Sequence, residues 1–382
     1  MITFHNGRVL LDGVLTEGAA VTIEGGRISR IAREEFSREG ESVDLGGRML
    51  VPGFIDTQVN GGGGVLFNDC PTVDCIAAIG EAHRTYGTTG FLPTLISDDL
   101  SVIDTAIAAV EEAIDQGVPG VLGIHIEGPY LNESRKGVHD ASKFRTLDAE
   151  AIARLTRLKT GRTLVTLAPE MTTPDMIRQL VAGGAVVAAG HTDATYAETR
   201  AGIEAGMTGF THLFNAMSPL SHRAPGAVGA ALEDIHAWCG LIVDGHHVDP
   251  VVLKLALRCR PLNRFMLVTD AMPSVGSGED HFTLQGRRIE VRNGACLAPD
   301  GALAGSDLNM AAAVRNARDM LGLRLGDAFS MASTWPAAFL GLTGTGVIAG
   351  DKRADLLIVD DDLDVISSWI GGQNYEQPHG IR

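Results

Sequence analysis

Carboxylates and imidazoles stand at the ends of apolar runs throughout this chain. Glu127 closes His125-Ile-Glu127-Gly-Pro, His191 closes Val-Val-Ala-Ala-Gly-His191, and His212 lies in Phe-Thr-His212-Leu-Phe-Asn215. Further along, Asp244 precedes Gly-His-His247 and Asp270 ends Leu-Val-Thr-Asp270, while Gln58, Asn60, Thr94 and Glu170 end other runs. One carboxylate and two imidazoles suffice to hold a catalytic divalent cation that keeps positions open for water and substrate. Glu127, His191 and His212 are therefore candidate ligands. Asp270, a free carboxylate on the last run, stands where a general base beside an activated water would be useful. The period of two along a strand puts His125 on the same face as Glu127. A single histidine is more often a packed core residue than a ligand, so the weight rests on the joint pattern.

Other chemistries lack their signatures. There is no GxSxG, HExxH or GxxxxGK[ST], and no GxGxxG follows a strand, so metal-assisted hydrolysis is favoured over serine hydrolysis, nucleotide chemistry and hydride transfer. The run Gly61 to Gly64 reads as a flexible loop. Cys70, Cys75, Cys239, Cys259 and Cys296 are odd in number and never spaced as CxxC, which argues against a disulfide framework and a cysteine zinc site. A reducing compartment, the cytoplasm, is expected.

Strand ends can converge only if the elements repeat. Apolar runs occur at 53–58, 90–94, 121–127, 163–169, 185–191, 209–212, 239–244 and 265–270, separated by amphipathic helices. In Ser101 to Gln116, for example, Ile103, Ile107, Val110 and Ile114 follow the helical period, Ser97, Asp98 and Asp99 offer N-caps, and Gly117 suits the position after the helix. Alternation of near-continuous apolar strands with helices predicts an α/β fold, a (β/α)8 TIM-like barrel over 51–341, with an open doubly wound sheet as the alternative. Shorter alternating runs broken by glycines, at 1–50 and again at 342–382, predict one small β-sandwich domain built from both termini. The interval 285–305 predicts a hairpin excursion after the eighth strand. The tail after Gly371 has no pattern that we can assign.

The chain has 382 residues, 45% of them hydrophobic, with a formal net charge of −16. Such acidity argues against nucleic acid and anionic membrane surfaces as partners. The N-terminus lacks the features of a signal peptide, and no apolar run reaches the roughly 18 residues of a membrane span.

Taken together, Val-Pro-Gly53-Phe-Ile-Asp56, His-Ile-Glu127-Gly-Pro-Tyr, Gly-His191-Thr, Thr-His212-Leu-Phe-Asn215-Ala-Met, Asp244-Gly-His-His247-Val-Asp and Leu-Val-Thr-Asp270-Ala-Met resemble the N-acetylglucosamine-6-phosphate deacetylase family of the amidohydrolase superfamily. The resemblance implies hydrolysis of N-acetyl-D-glucosamine 6-phosphate to D-glucosamine 6-phosphate and acetate, in amino-sugar catabolism and cell-wall sugar recycling. It implies a metal on Glu127, His191 and His212, with Asp270 as general base and acid and His139 polarising the acetyl carbonyl. Substrate contacts are implied at Val138, His139, the Asn215 and Ala216 amides, Arg223, His247, Leu303, Ala304 and Gly305. Arg223 matches a residue that reaches the neighbouring subunit's site, so a homodimer is expected. Many amidohydrolases end the first strand with HxH and bind two metals. Here Gln58 and Asn60 occupy those positions, so one divalent metal per subunit is expected, zinc first, with Fe2+, Co2+ or Mn2+ as alternatives. His125 is open between a role behind the ligands and a vestigial ligand. The alternatives are an N-acetylgalactosamine-6-phosphate deacetylase, another N-acyl amidohydrolase, or a non-enzymatic scaffold on the same fold.

Overall fold

The computed structural model describes residues 1–33 and 40–376. Eight parallel strands, Phe54–Val59, Thr88–Ile96, Gly123–Glu127, Arg162–Leu167, Val186–Ala189, Gly209–Phe210, Trp238–Leu241 and Phe265–Leu267, are hydrogen-bonded to one another in chain order. The first and last also meet. Val59 bridges Ala271 in parallel and the Asp270 amide donates to the Gln58 carbonyl at 3.0 Å, which makes the sheet a barrel and excludes the open sheet. Strands in a barrel are covered on both faces, by helices outside and by each other's side chains inside, which is why these runs are apolar almost throughout. The helix Leu100–Asp115 turns Ile103, Ile107 and Val110 into the core; Asp99 is its N-cap and Gly117 follows at φ +73°.

Asp56 fixes the seam between strands one and eight. Its fully buried carboxylate accepts from the Thr269 hydroxyl at 2.5 Å and from the Gln58 and Thr269 amides at 3.1 and 3.3 Å. Burial pushes its pKa up to about 7, against the pull of those hydrogen bonds.

Strands from both ends of the chain form two further sheets. One contains Ile2–His5, Ala19–Glu24, Arg27–Arg33 and Glu41–Asp44; the other contains Arg8–Leu11, Val14–Glu17, Met49–Pro52, Leu356–Val359, Val365–Ile370 and Gln373–Glu376. Phe4, Val21, Ile28, Leu50, Leu356 and Trp369 pack between them, with Phe4 edge-on to Trp369 at 5.0 Å. The stretch 346–348 is irregular and forms no strand. Conversely, Gln373–Glu376 is a strand: Gly371 and Gly372, at φ +55° and +77°, turn the chain back onto Val365–Ile370.

The excursion after strand eight is larger than expected. Four antiparallel strands, His281–Leu284, Arg287–Arg292, Ala295–Leu297 and Leu303–Ser306, form a sheet of their own, with Asn293-Gly294 making a left-handed turn. The cysteine expectation needs correction at one place: Cys70 and Cys75 are disulfide-bonded, while Cys239, Cys259 and Cys296 are free. The turn at Pro71 that leads into the helix Val73–Arg84 brings the two Cα atoms to 6.1 Å, a local approach that spacing alone does not reveal. No helix among the described residues is long and apolar enough to cross a membrane.

Candidate active site

Closure of the barrel brings the C-terminal strand ends together. Glu127 ends strand three, His191 follows strand five, His212 follows strand six and Asp270 follows strand eight. His191, His212 and Asp270 hold φ of +48°, +32° and +54°, a left-handed backbone that costs about 1–3 kcal/mol for a side-chain-bearing residue and clusters at functional sites. The surrounding barrel imposes it.

Three ligand-type atoms meet at one point. Glu127 Oε1 lies 3.2 Å from His191 Nε2 and 3.0 Å from His212 Nε2, and the two imidazole nitrogens are 3.1 Å apart. Glu127, His191 and His212 are all at least nine-tenths buried. His191 Nδ1 is 2.9 Å from the Arg135 carbonyl, which can only accept, so Nδ1 carries a proton and Nε2 faces the other two atoms. Burial pushes the Glu127 carboxyl up, but His191 and His212 outweigh it and hold it well below the usual range. Burial would neutralise His212, yet Glu127 outweighs that too and raises its pKa. The carboxylate thus draws positive charge to the point where the three atoms converge. One divalent cation satisfies all of them at once, so the donor set fits a metal.

His139 also has a ring nitrogen within 4.8 Å of the Glu127 and His191 donor atoms. Its role differs from theirs. The Ser97 amide donates to His139 Nδ1 at 3.3 Å, and the Ser97 hydroxyl lies 2.8 Å from the same atom. Nδ1 is therefore an acceptor and Nε2 carries the proton. Burial, then the neighbouring His191 imidazole, holds His139 well below its ordinary pKa, so it is a neutral donor and not a lone pair waiting for a cation.

Asp270 is held from strand one. Its Oδ1 accepts from Gln58 Nε2 at 3.0 Å and from Asn60 Nδ2 at 2.6 Å. The same Gln58 amide lies 3.2 Å from both Glu127 oxygens, so one NH2 group separates two carboxylates. Burial, then the Glu127 charge, raises the Asp270 pKa to about 6. His125 turns elsewhere: its Nδ1 lies 3.3 Å from the Thr94 hydroxyl and its Nε2 2.7 Å from that of Thr166, which ties strands two, three and four together inside the barrel.

These groups floor a cavity of about 170 Å3, lined also by Asn60, Val138, Asn215, Ala216, His247, Leu303 and Gly305. His247 is oriented by Asp244, whose Oδ2 lies 2.6 Å from His247 Nδ1. Three expected contacts are placed differently. Ala304 is fully buried in the core of the four-stranded sheet, because alternate residues of a strand face opposite ways. The Asn215 amide already donates to the His212 carbonyl at 3.0 Å, which leaves the Ala216 amide without an acceptor among the described residues. Arg223 is exposed and does not line the cavity, and among the described residues no lysine or arginine does. Ile96, Gly137 and Met272 line it unforeseen.

Residues 49–380 match the Amidohydrolase family. The chain belongs to the amidohydrolase family. It is 42% identical over 386 residues to the N-acetylgalactosamine-6-phosphate deacetylase of Shewanella sp. (strain ANA-3), covering 100% of this chain and 98% of that one. Among solved structures, the N-acetylglucosamine-6-phosphate deacetylase of Pasteurella multocida superposes with a TM-score of 0.95 at 34% identity, covering 98% of this chain and 99% of that one. A mutant of the Mycobacterium smegmatis N-acetyl-D-glucosamine-6-phosphate deacetylase, in complex with N-acetyl-D-glucosamine-6-phosphate, superposes with a TM-score of 0.91 at 33% identity and covers 98% of each chain. In this amidohydrolase, then, the convergent site sits where the barrel places it, at the C-terminal ends of the strands.

Proposed function

We propose that the protein hydrolyses the acetamide of N-acetyl-D-glucosamine 6-phosphate, releasing acetate and D-glucosamine 6-phosphate, as a step of amino-sugar catabolism. The observation that carries this is the convergence of Glu127, His191 and His212 beside Asp270 in a cavity that His139 also lines. The barrel, 51–341, holds the site, and the β-sandwich of 1–50 and 342–382 supports it. Glu127, His191 and His212 would hold one divalent cation, zinc in preference to Fe2+, Co2+ or Mn2+; when bound it supplies the Lewis acidity that makes water a nucleophile at neutral pH. Asp270 accepts the proton of the attacking water and passes it to the departing amine, which is otherwise too poor a leaving group. Gln58 and Asn60 keep its carboxylate in place. His139 donates to the carbonyl oxygen as negative charge develops there, a contribution on the order of 3 kcal/mol for one such donor.

The cavity's own cations are insufficient for a phosphate. We propose that Arg223, which extends from an exposed segment, completes the site of a second copy in a homodimer, beside His247 and the Ala216 amide. The exposed Val251, Val252 and Leu255 on the helix Pro250–Cys259 offer an apolar surface for that pairing.

A second reading is the galactosamine epimer, favoured by the 42% identity to the Shewanella deacetylase. The two substrates differ only at the C4 hydroxyl. Acetate release from both 6-phosphates and from their unphosphorylated parents, with metal analysis of the same sample, separates the readings. One metal per chain and turnover of the glucosamine epimer are expected; turnover confined to the galactosamine epimer would establish the second.

A further inference from the structure

The four-stranded sheet spanning 281–306 meets the site at two places. Its last strand lies beside the end of barrel strand eight, where the Ser306 amide donates to the Asp270 carbonyl at 2.9 Å and the Met272 amide to the Ser306 carbonyl at 3.0 Å. Its apolar face, Phe282, Leu284, Ile289 and Cys296, packs with Ile96 and Met272 and takes half-buried Val138 against it. One polar bond ties the sheet to the second place. Arg287 Nη2 donates to the Val138 carbonyl at 2.9 Å. Among the described residues no backbone amide donates to that carbonyl and no carboxylate pairs with Arg287.

Val138 stands between Gly137, which is exposed at φ +55°, and His139. Ser97 and the His191 ring, at 4.4 Å, hold the His139 imidazole, but they do not hold the backbone that carries it. The other backbone bond of the segment runs within its own turn, from the His139 amide to the Lys136 carbonyl at 3.1 Å. A permanently charged guanidinium on a partly buried carbonyl is stronger than a neutral pair. The geometry points to Arg287 as a positioning residue: through the Val138 carbonyl it fixes 137–139 against the four-stranded sheet and so sets where the His139 Nε2–H stands over the cavity. The consequence for turnover rests on the deacetylase reading; the tether itself does not.

Arg287→Met keeps the packed stem and removes the donor, whereas Arg287→Lys keeps one donor. Kinetics of the metal-loaded parent and both variants on the two N-acetylhexosamine 6-phosphates are to be measured alongside hydrogen exchange of the amides at 136–140. With the Met variant we expect kcat to fall ~10- to 100-fold, the effect of a misplacement on the order of 1 Å, with KM and melting temperature little changed and exchange at 136–140 accelerated. The Lys variant should regain most of kcat. Unchanged exchange in the Met variant, or a loss of kcat that tracks a fall in melting temperature and is not rescued by lysine, would overturn the assignment. If the parent hydrolyses neither substrate, the deacetylase reading fails, and the exchange comparison still decides the tether.

Discussion

Asp270 shows how one carboxylate is prepared for two proton transfers. Burial and the Glu127 charge lift its pKa to about 6, while Gln58 and Asn60 fix its position by hydrogen bonds to a single oxygen. A protonated Asp270 cannot act as the base, so kcat/KM should rise about tenfold per pH unit below pH ~6 and level off above it. Asp270→Asn should abolish this limb in whatever activity remains. A parent profile that is flat between pH 5 and 7 would remove Asp270 from the role. The ligand-type residues and Asp270 could be read from the sequence because each breaks an apolar strand at its end. Ser97 could not. Its amide and hydroxyl meet His139, 42 positions away, whereas in sequence it stands as one more polar residue before a helix that Asp99 caps.

At the scale of elements, the seam between strands one and eight carries a testable cost. Asp56 titrates at about 7 when folded, against 3.8 as the ordinary value, so the folded chain holds its proton over a range in which the unfolded chain has lost it. Whatever stability the protonated group lends is complete below pH ~4 and is lost as pH rises through ~7. Asp56→Asn cannot titrate, so its melting temperature should gain on the parent's as pH rises from ~4 to ~7. A constant difference between the two proteins would contradict a buried, titrating Asp56. All eight barrel strands were predictable from apolar runs between helices, since burial on both faces leaves little room for polar residues. The strand Gln373–Glu376 was not, because it is polar and forms by pairing with a neighbour; the Gly371-Gly372 turn before it was the available signal. The sheet 281–306 was only half foreseen. Its turns were evident, but its packing on the His139 segment joins residues 149 positions apart, which no local pattern encodes.

For the whole molecule, a net charge of −16 and, among the described residues, no lysine or arginine lining the cavity make a cation from elsewhere the natural partner of an anionic substrate. Assignment of Arg223 to the second copy makes the two sites of a dimer interdependent. Arg223→Ala and Asp270→Asn should each be defective alone. Unfolded together and reassembled, they should recover about a quarter of parental activity, since half the dimers are mixed and each mixed dimer has one complete site. Failure to recover any activity from dimers shown to be mixed would place Arg223 outside the neighbour's site. The most direct test of the central claim is acetate and free amine released from N-acetylglucosamine 6-phosphate by the metal-loaded parent and by Asp270→Asn. Equal amounts of both products from the parent, with turnover lowered by several orders of magnitude in the variant, are predicted. No acetate from the parent, or undiminished turnover in Asp270→Asn, would contradict it.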